Sequence, residues 1–311
     1  GGEAFEKRSI AEDNLELQKS SLIKVEQKVI LEAIKAYLDV YSNQSVVRLR
    51  KRSLKRFKEN VEATKLKLEA GTVTPTVLAE AQSKYAKAKY ELILAEGNLN
   101  NHTSKLKSIT KLKNVPNNLK LPKLNFKIPK TVNKAVKISL ESNPIILVAK
   151  LEKKIAKKNI DLKKSNNRPS LKMEFFGKDS QSSVNTSTSD YQSYGANLTF
   201  STPLFYNDST KDNIRRLDKL FIATSFDLSE KNRQVELSAI SSYQNYKSTL
   251  AKTSASRSEK ISSLLALNGI KKEAQFGIRT VLDVLDAEVE YLNASTNVIK
   301  SKADEIYSQF H

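Results

Sequence analysis

FGIRTVLDVLDAEVEY, residues 276–291, has a weaker counterpart 206 positions earlier in GTVTPTVLAEAQSKY, residues 71–85. The shift lays Gly71 on Gly277, Thr74 on Thr280, Ala81 on Ala287 and Tyr85 on Tyr291, and sets Glu80 against Asp286 and Gln82 against Glu288. Each copy closes one long run of helical periodicity and opens another, so each reads as the tip of an antiparallel helical hairpin. The register holds beyond the tips: Val29, Ile34 and Tyr37 fall on Val235, Ile240 and Tyr243 without a gap. Two tandem hairpins, plus the segments that join them, make up the chain.

Outward from the first tip, residues 9–70 contain neither Gly nor Pro, and Val40, Val47, Leu54, Val61 and Leu68 recur every seven residues. Between them Phe57 fits an apolar seam, Asn43, Arg50 and Thr64 do not, and Leu49 and Leu66 lie off it, so the seam is narrow and imperfect. A helix of about 60 residues is roughly 90 Å long and needs neighbours to be stable. Gly71 is expected just past its C-terminus, with Thr74 as the next N-cap and Pro75 as the first helical residue. The helix expected over 76–109 carries Leu78, Ala81, Tyr85, Ala88, Leu92, Ala95 and Leu99 on one face. Pro116, Pro122 and Pro129 make 114–130 an irregular connector. Short helices follow over 132–140 and 145–164, broken at Asn143-Pro144 and ended near Asn166-Asn167-Arg168-Pro169.

Residues 170–206 differ in kind. Leu171, Met173 and Phe175 alternate with polar residues, a Ser/Thr-rich loop is expected over 177–190, and a strand over 191–205 carries Tyr194, Ala196, Leu198 and Phe200 on one face before Pro203-Leu204-Phe205-Tyr206. Two such strands need further strands beside them. From 208 the long-helix pattern returns to about 275, with the second tip at Gly277 and a last helix from 281. The repeat lays Gly1 on Asn207, so the first copy is expected to lack its own strands. The expected organisation is a first-repeat hairpin over 1–110, a connector with short helices over 111–169, a strand pair over 170–206 and a second-repeat hairpin over 207–311.

The composition suits thin helical seams better than a thick core: 311 residues hold 8 Gly, 7 Pro and 39% hydrophobic side chains. A formal charge of +19 raises nucleic acid as a partner. The Lys residues are scattered along helix faces without aromatic interleaving or a recognition motif, so no nucleic acid is expected. The absence of Cys excludes disulfide frameworks and thiol chemistry. No apolar run approaches the ~18–20 residues of a membrane-spanning helix, so any crossing would use strands. No nucleotide loop, metal constellation or catalytic arrangement is visible, and His102 and His311 stand alone; neither enzyme activity nor a cofactor is expected.

A strand pair followed by a very long helical hairpin, in tandem copies, resembles the TolC family of outer-membrane channel proteins. The most specific match is GIRTVLDVLD at the second tip, supported by Pro203-Leu204-Phe205, Asn143-Pro144 and Pro169. The tip is more similar to the TolC and type I secretion branch than to the lipoprotein branch of drug-pump channels. The resemblance implies a mostly α fold with a small β part. Its long antiparallel hairpins would form an α-barrel, and its strands would join a trimeric twelve-stranded transmembrane β-barrel. It implies a homotrimer in the outer membrane lipid, extending into the periplasm of a Gram-negative bacterium. Its partners would be a periplasmic adaptor and an inner-membrane transporter, ATP-driven (ABC) or proton-driven. The function implied is that of a passive duct for efflux or type I secretion.

It also implies roles for tip residues. Asp283 and Asp286, three apart at a helix start, would ring the pore entrance as a cation-selective constriction; by residue chemistry alone they would complement a helix dipole. Arg279 with Thr76 would latch neighbouring hairpins, although Val77 stands where the family has an Asp and Ala274 where it has a Tyr. Gly71, Thr72, Gly277, Ile278 and Thr280 would form the adaptor-binding tips. Two other classes fit parts of the pattern. A soluble coiled-coil scaffold, possibly nucleic-acid binding, predicts no strands between in-register copies. A periplasmic adaptor would carry lipoyl-like and small β-barrel segments.

Overall fold

In the computed structural model, which describes residues 2–122, 127–165, 168–184, 187–202 and 208–310, helices α1 (Gly2–Glu69) and α2 (Pro75–Thr110) form the first hairpin. Then come α3 (Val132–Ser142), α4 (Pro144–Ser165), strands β1 (Ser170–Val184) and β2 (Ser187–Ser201), and the second hairpin of α5 (Asp208–Gln275) and α6 (Val281–Phe310). The fold is mostly α with a small β part. Helix limits fall within a residue or two of expectation, except that α1 is already helical at Gly2. The expected features at Asn166-Asn167, Pro203-Leu204-Phe205-Tyr206 and His311 lie outside the described residues.

One expectation is corrected. Most of the stretch read as a loop over 177–190 is strand: β1 and β2 pair antiparallel from Ser170↔Ser201 out to Val184↔Ser187. A two-stranded ladder is held by backbone bonds, so Ser and Thr on both faces end the apolar pattern without ending the strand. The register sets Leu171 opposite Phe200, Met173 opposite Leu198, Phe175 opposite Ala196 and Gly177 opposite Tyr194, so the expected apolar face is formed by both strands. Its large side chains are exposed, Tyr194 to 81%. On the other face Phe176 lies over Gly195, where an added Cβ would stand 2.5 Å from the ring.

The chain divides into two units. The first comprises residues 1–24 and 138–236. In it α4 buries Ile146, Ala149, Ala156 and Ile160 along one stripe. Lys154 and Lys158 of α4 both reach the buried Asp13 of α1, at 2.7 and 2.5 Å. Burial pushes the Asp13 carboxyl up, but the bonds from the two lysines outweigh it and hold the group below the usual range. Lys153 lies over the Phe221 ring of α5 at 5.7 Å.

The second unit, residues 25–137 and 237–311, holds the main seams. Ala81, Ala88 and Ala95 of α2 are buried as the seven-residue spacing predicts, and small side chains let α1 approach closely. Phe57 of α1 is 2% exposed and packs with Ala81, Ala88 and Leu285, joining α1, α2 and α6 in one cluster. Val46, Val47 and Ala95 form a second cluster, to which Ile299 of α6 adds. The other side of α1 is covered too, since Leu38 packs with Ala303 and Ile306 of α6.

The polar residues in the α1 seam are accommodated by bonding. Thr64, expected not to fit, is fully buried with its hydroxyl donating to the Asn60 carbonyl at 2.7 Å. Arg50 pairs with Glu91 across the hairpin. The internal repeat also governs the connector. The repeat mates Tyr37 and Tyr243 each donate a hydroxyl to a connector carbonyl, that of Lys120 at 2.8 Å and of Lys130 at 2.7 Å. Gln44 grips the same segment through the Pro116 carbonyl and the Leu119 N–H.

Candidate functional site

The two tips end their helices identically. Gly71 and Gly277 are left-handed, with φ of +73° and +75°. The N–H of each returns to a carbonyl three residues back, and the next N–H, of Thr72 or Ile278, to one five back. This is the double bond pattern of a Schellman ending, in which Gly avoids the Cβ clash of left-handed backbone. All five expected tip residues, Gly71, Thr72, Gly277, Ile278 and Thr280, are exposed.

The starts of the following helices differ. Thr74 holds the N-cap of α2 but makes no side-chain cap bond. At α6 the Thr280 Oγ accepts from the Asp283 N–H at 3.1 Å, while the Asp283 carboxylate accepts from the Thr280 N–H at 2.8 Å and from its hydroxyl at 2.9 Å. This is a capping box, with Asp in the place usually taken by Glu. In the first copy Val77 occupies that position and cannot close it. The bonds from Thr280 hold the Asp283 carboxyl below its ordinary range, and the nearby Arg279 guanidinium adds to the effect.

Arg279 donates to Glu273 of its own tip at 2.9 Å, and this bond, with the Glu273 charge, raises its pKa further. Thr76 is exposed, and among the described residues it makes no bond to Arg279. Asp286 pairs with Lys84 of α2. Asp283, Asp286 and Glu290 of α6 and Glu259 of α5 line one groove of about 430 Å³, with Arg279 the one basic residue among its lining. The groove is an anionic surface with no enclosed chamber, suited to attracting cations and to no bond-making chemistry.

Sequence reasoning missed three parts of this region. Glu259 and Glu290 looked like ordinary helix charges, although Glu290 continues the stripe of Asp283 and Asp286 at helical spacing. Glu288 is 1% exposed and accepts from Lys271 of α5 at 2.7 Å. Its repeat mate Gln82 is exposed, so the repeat gave no sign of burial. Lys84 is the third; nothing in its own stretch marks it as the partner of Asp286. His102 stands 3.7 Å from Asp39. Among the described residues no cluster of three His, Cys, Asp or Glu is arranged to hold a metal, and no helix is long and apolar enough to cross a membrane.

Comparison with known proteins matches residues 135–305 to the family model described as outer membrane efflux protein. The chain is 22% identical over 300 residues to the outer membrane efflux protein BepC of Brucella suis, covering 96% of this chain and 65% of that protein. It is 26% identical over 293 residues to the outer membrane protein TolC of Vibrio cholerae, covering 91% and 66%. The chain thus spans just under two thirds of these relatives. A crystal structure of a membrane protein from Pseudomonas aeruginosa superposes with a TM-score of 0.83 at 16% identity, covering 99% of this chain and 70% of that one.

Proposed function

The chain belongs to the outer membrane efflux protein family, and from that premise we infer that it is the exit duct of a tripartite efflux pump or of a type I secretion system. The observation that carries this reading is the strand hairpin, on one face of which Leu171, Met173, Phe175, Tyr194, Leu198 and Phe200 lie exposed, and which stands in chain order between α4 and the long α5. Such a face suits lipid, and closure of the sheet with other strands would satisfy its edges. The duct crosses the outer membrane on strands and reaches into the periplasm on helices. Transport through it needs no chemical step, so energy comes from an ATP- or proton-driven transporter in the inner membrane, reached through a periplasmic adaptor.

The internal repeat supports assembly as a homotrimer. Ile299 of α6 packs against the first hairpin, whereas its mate Ile93 on α2 is 61% exposed. Likewise Phe57 of α1 is buried by α6, and its mate on α5 is the half-buried Ser263. An α2 face built like the covered α6 face is matched by a second copy's α5, and the contact repeats head to tail until the ring closes. At the tips, the Asp283 and Asp286 carboxylates would gather around the mouth as a cation-attracting constriction, with Arg279 and Thr76 as latch. Gly71, Thr72, Gly277, Ile278 and Thr280 would present the adaptor-binding surface.

Fractionation followed by planar-bilayer recording tests the reading. A detergent-extracted trimer from outer membranes that conducts, and whose current falls when multivalent cations are added on the tip side, is the expected result. A soluble rod in the supernatant would overturn it in favour of a scaffold.

A further inference from the structure

Three stretches carry most of the basic excess: 48–58, 105–137 and 150–172. In the first, Arg50, Lys51, Lys55 and Lys58 each have a carboxylate partner. The second runs from the end of α2 along the connector to α3. The third leads from α4 straight into β1. Three of its earlier members are engaged: Lys154 and Lys158 hold Asp13, and Lys153 covers Phe221. Lys163, Lys164 and Arg168, the last cations before the strand, have no ion-pair partner among the described residues, and Lys164 and Arg168 are exposed.

Their position relative to the apolar face is fixed by the register. That face begins at the pair Leu171↔Phe200, and its last aromatic is Tyr194 opposite Gly177, six residues along β1. At ~3.3 Å per residue this is about 20 Å of strand, or about 15 Å of height at the ~40° tilt of membrane barrels, which fits within the ~25 Å apolar band they present. Tyr194 marks the far edge of this face, where ringed hydroxyls favour the interface, and Tyr191, opposite Ser180, lies on the other face. Beyond them the hairpin is polar. The near edge therefore falls at Ser170, two residues in sequence from Arg168 and six and seven from Lys164 and Lys163.

We propose that Lys163, Lys164 and Arg168 bind the anionic headgroups of phospholipids in the leaflet on the helical side of the membrane. This rests on the strand hairpin lying in the membrane, as the duct reading requires. Long basic side chains at the edge of an apolar band keep their stems against apolar surface and their charges at headgroup level. The guanidinium of Arg168 also offers a fork that matches phosphate oxygens. Asp161 is the one acidic residue between Lys153 and Arg168, so the edge remains strongly cationic. The neighbouring Lys172 turns its charge to Glu174, on the other face of the strand from Leu171 and Met173.

The test uses the assembled protein purified in mild detergent, delipidated, and offered equimolar phosphatidylglycerol and phosphatidylcholine, with bound lipid counted by native mass spectrometry. Wild type is expected to retain phosphatidylglycerol preferentially. The triple variant Lys163→Gln/Lys164→Gln/Arg168→Gln should reduce that preference on the order of tenfold, since each cation near an anionic surface contributes about fivefold at most. An equal charge reduction at the end of α2 and the start of the connector, Lys105→Gln/Lys107→Gln/Lys113→Gln, should leave it intact. Equal retention of both lipids by wild type, equal loss in both triple variants, or displacement of the lipid by duplex DNA or inorganic phosphate would overturn the proposal. A protein that conducts in planar bilayers yet shows no lipid preference defeats this inference alone. One that never inserts defeats the duct reading beneath it.

Discussion

Thr280 and Asp283 bond one another in both directions, so the side chain of each satisfies the backbone N–H of the other at the first turn of α6. A residue implicated in a pore mouth is thereby committed to local structure as well. The cap and the charge are compatible, because a carboxylate accepting these bonds stays ionised.

The pH dependence of that turn follows. Asp283 is held below the ordinary carboxylate range in the folded chain, chiefly by its bonds from Thr280. A depressed value means the contribution is fully present above about pH 4 and is lost as pH falls through the lowered folded value. Amide exchange at Thr280 and Asp283 should accelerate in that acid window. Asp283→Asn keeps an acceptor oxygen and should abolish the pH step; an unchanged step in that variant would assign it elsewhere.

Gly71→Ala and Gly277→Ala should each destabilise by about 1–2 kcal/mol. Nothing lies within 4 Å of an added Cβ at either place, so the cost is purely that of left-handed backbone. Denaturant melts should show the two variants alike, with Asn at either position milder than Ala.

Single-channel recording of Arg279→Ala should show only a slight rise in conductance. The guanidinium bonds Glu273 within its own tip, and Val77 and Ala274 stand at the positions where the resemblance would place its latch partners. A wide opening would make Arg279 the principal latch.

Truncating Phe57 to Ala should cost about 3–5 kcal/mol, the usual range for a buried aromatic. It is 2% exposed and is shared by three helices. Ser263→Ala, at the equivalent place in the second copy, should change the melting midpoint little.

For the ion pair between α5 and α6, the two single substitutions should be unequal. Lys271→Met leaves the Glu288 carboxylate, 1% exposed, without its cation, while Glu288→Gln leaves a lysine that reaches solvent. Thermal melts should rank Lys271→Met as the more destabilising. The reverse order would mean that the Glu288 site tolerates charge unaided.

The sequence carried the helical framework because its signals are local. Gly71 and Gly277 must stand where backbone turns left-handed, and the alanines of α2 must stand where helices touch. What escaped depends on neighbours distant in sequence. Gln82 and Glu288 are repeat mates, yet α5 covers Glu288 while Gln82 stays exposed among the described residues. The Ser/Thr end of the hairpin escaped because polarity reports what surrounds a strand, and the ladder itself is written in backbone bonds. Thr64 shows the same limit in reverse, a polar side chain buried because its hydroxyl finds a carbonyl within its own helix. In the candidate site, the box of Thr280 and Asp283 was readable as a three-residue spacing, and the partnership of Lys84 with Asp286 was not.

Ile299 rests inside a seam and its mate Ile93 faces outward, so one chain contains a finished joint and half of another. The finished joint is tethered and indifferent to protein concentration. In the proposed ring the half-joint would be an encounter between molecules and would obey mass action. Dilution would therefore part a ring of such chains at every second seam, releasing subunits whose internal seam has never opened.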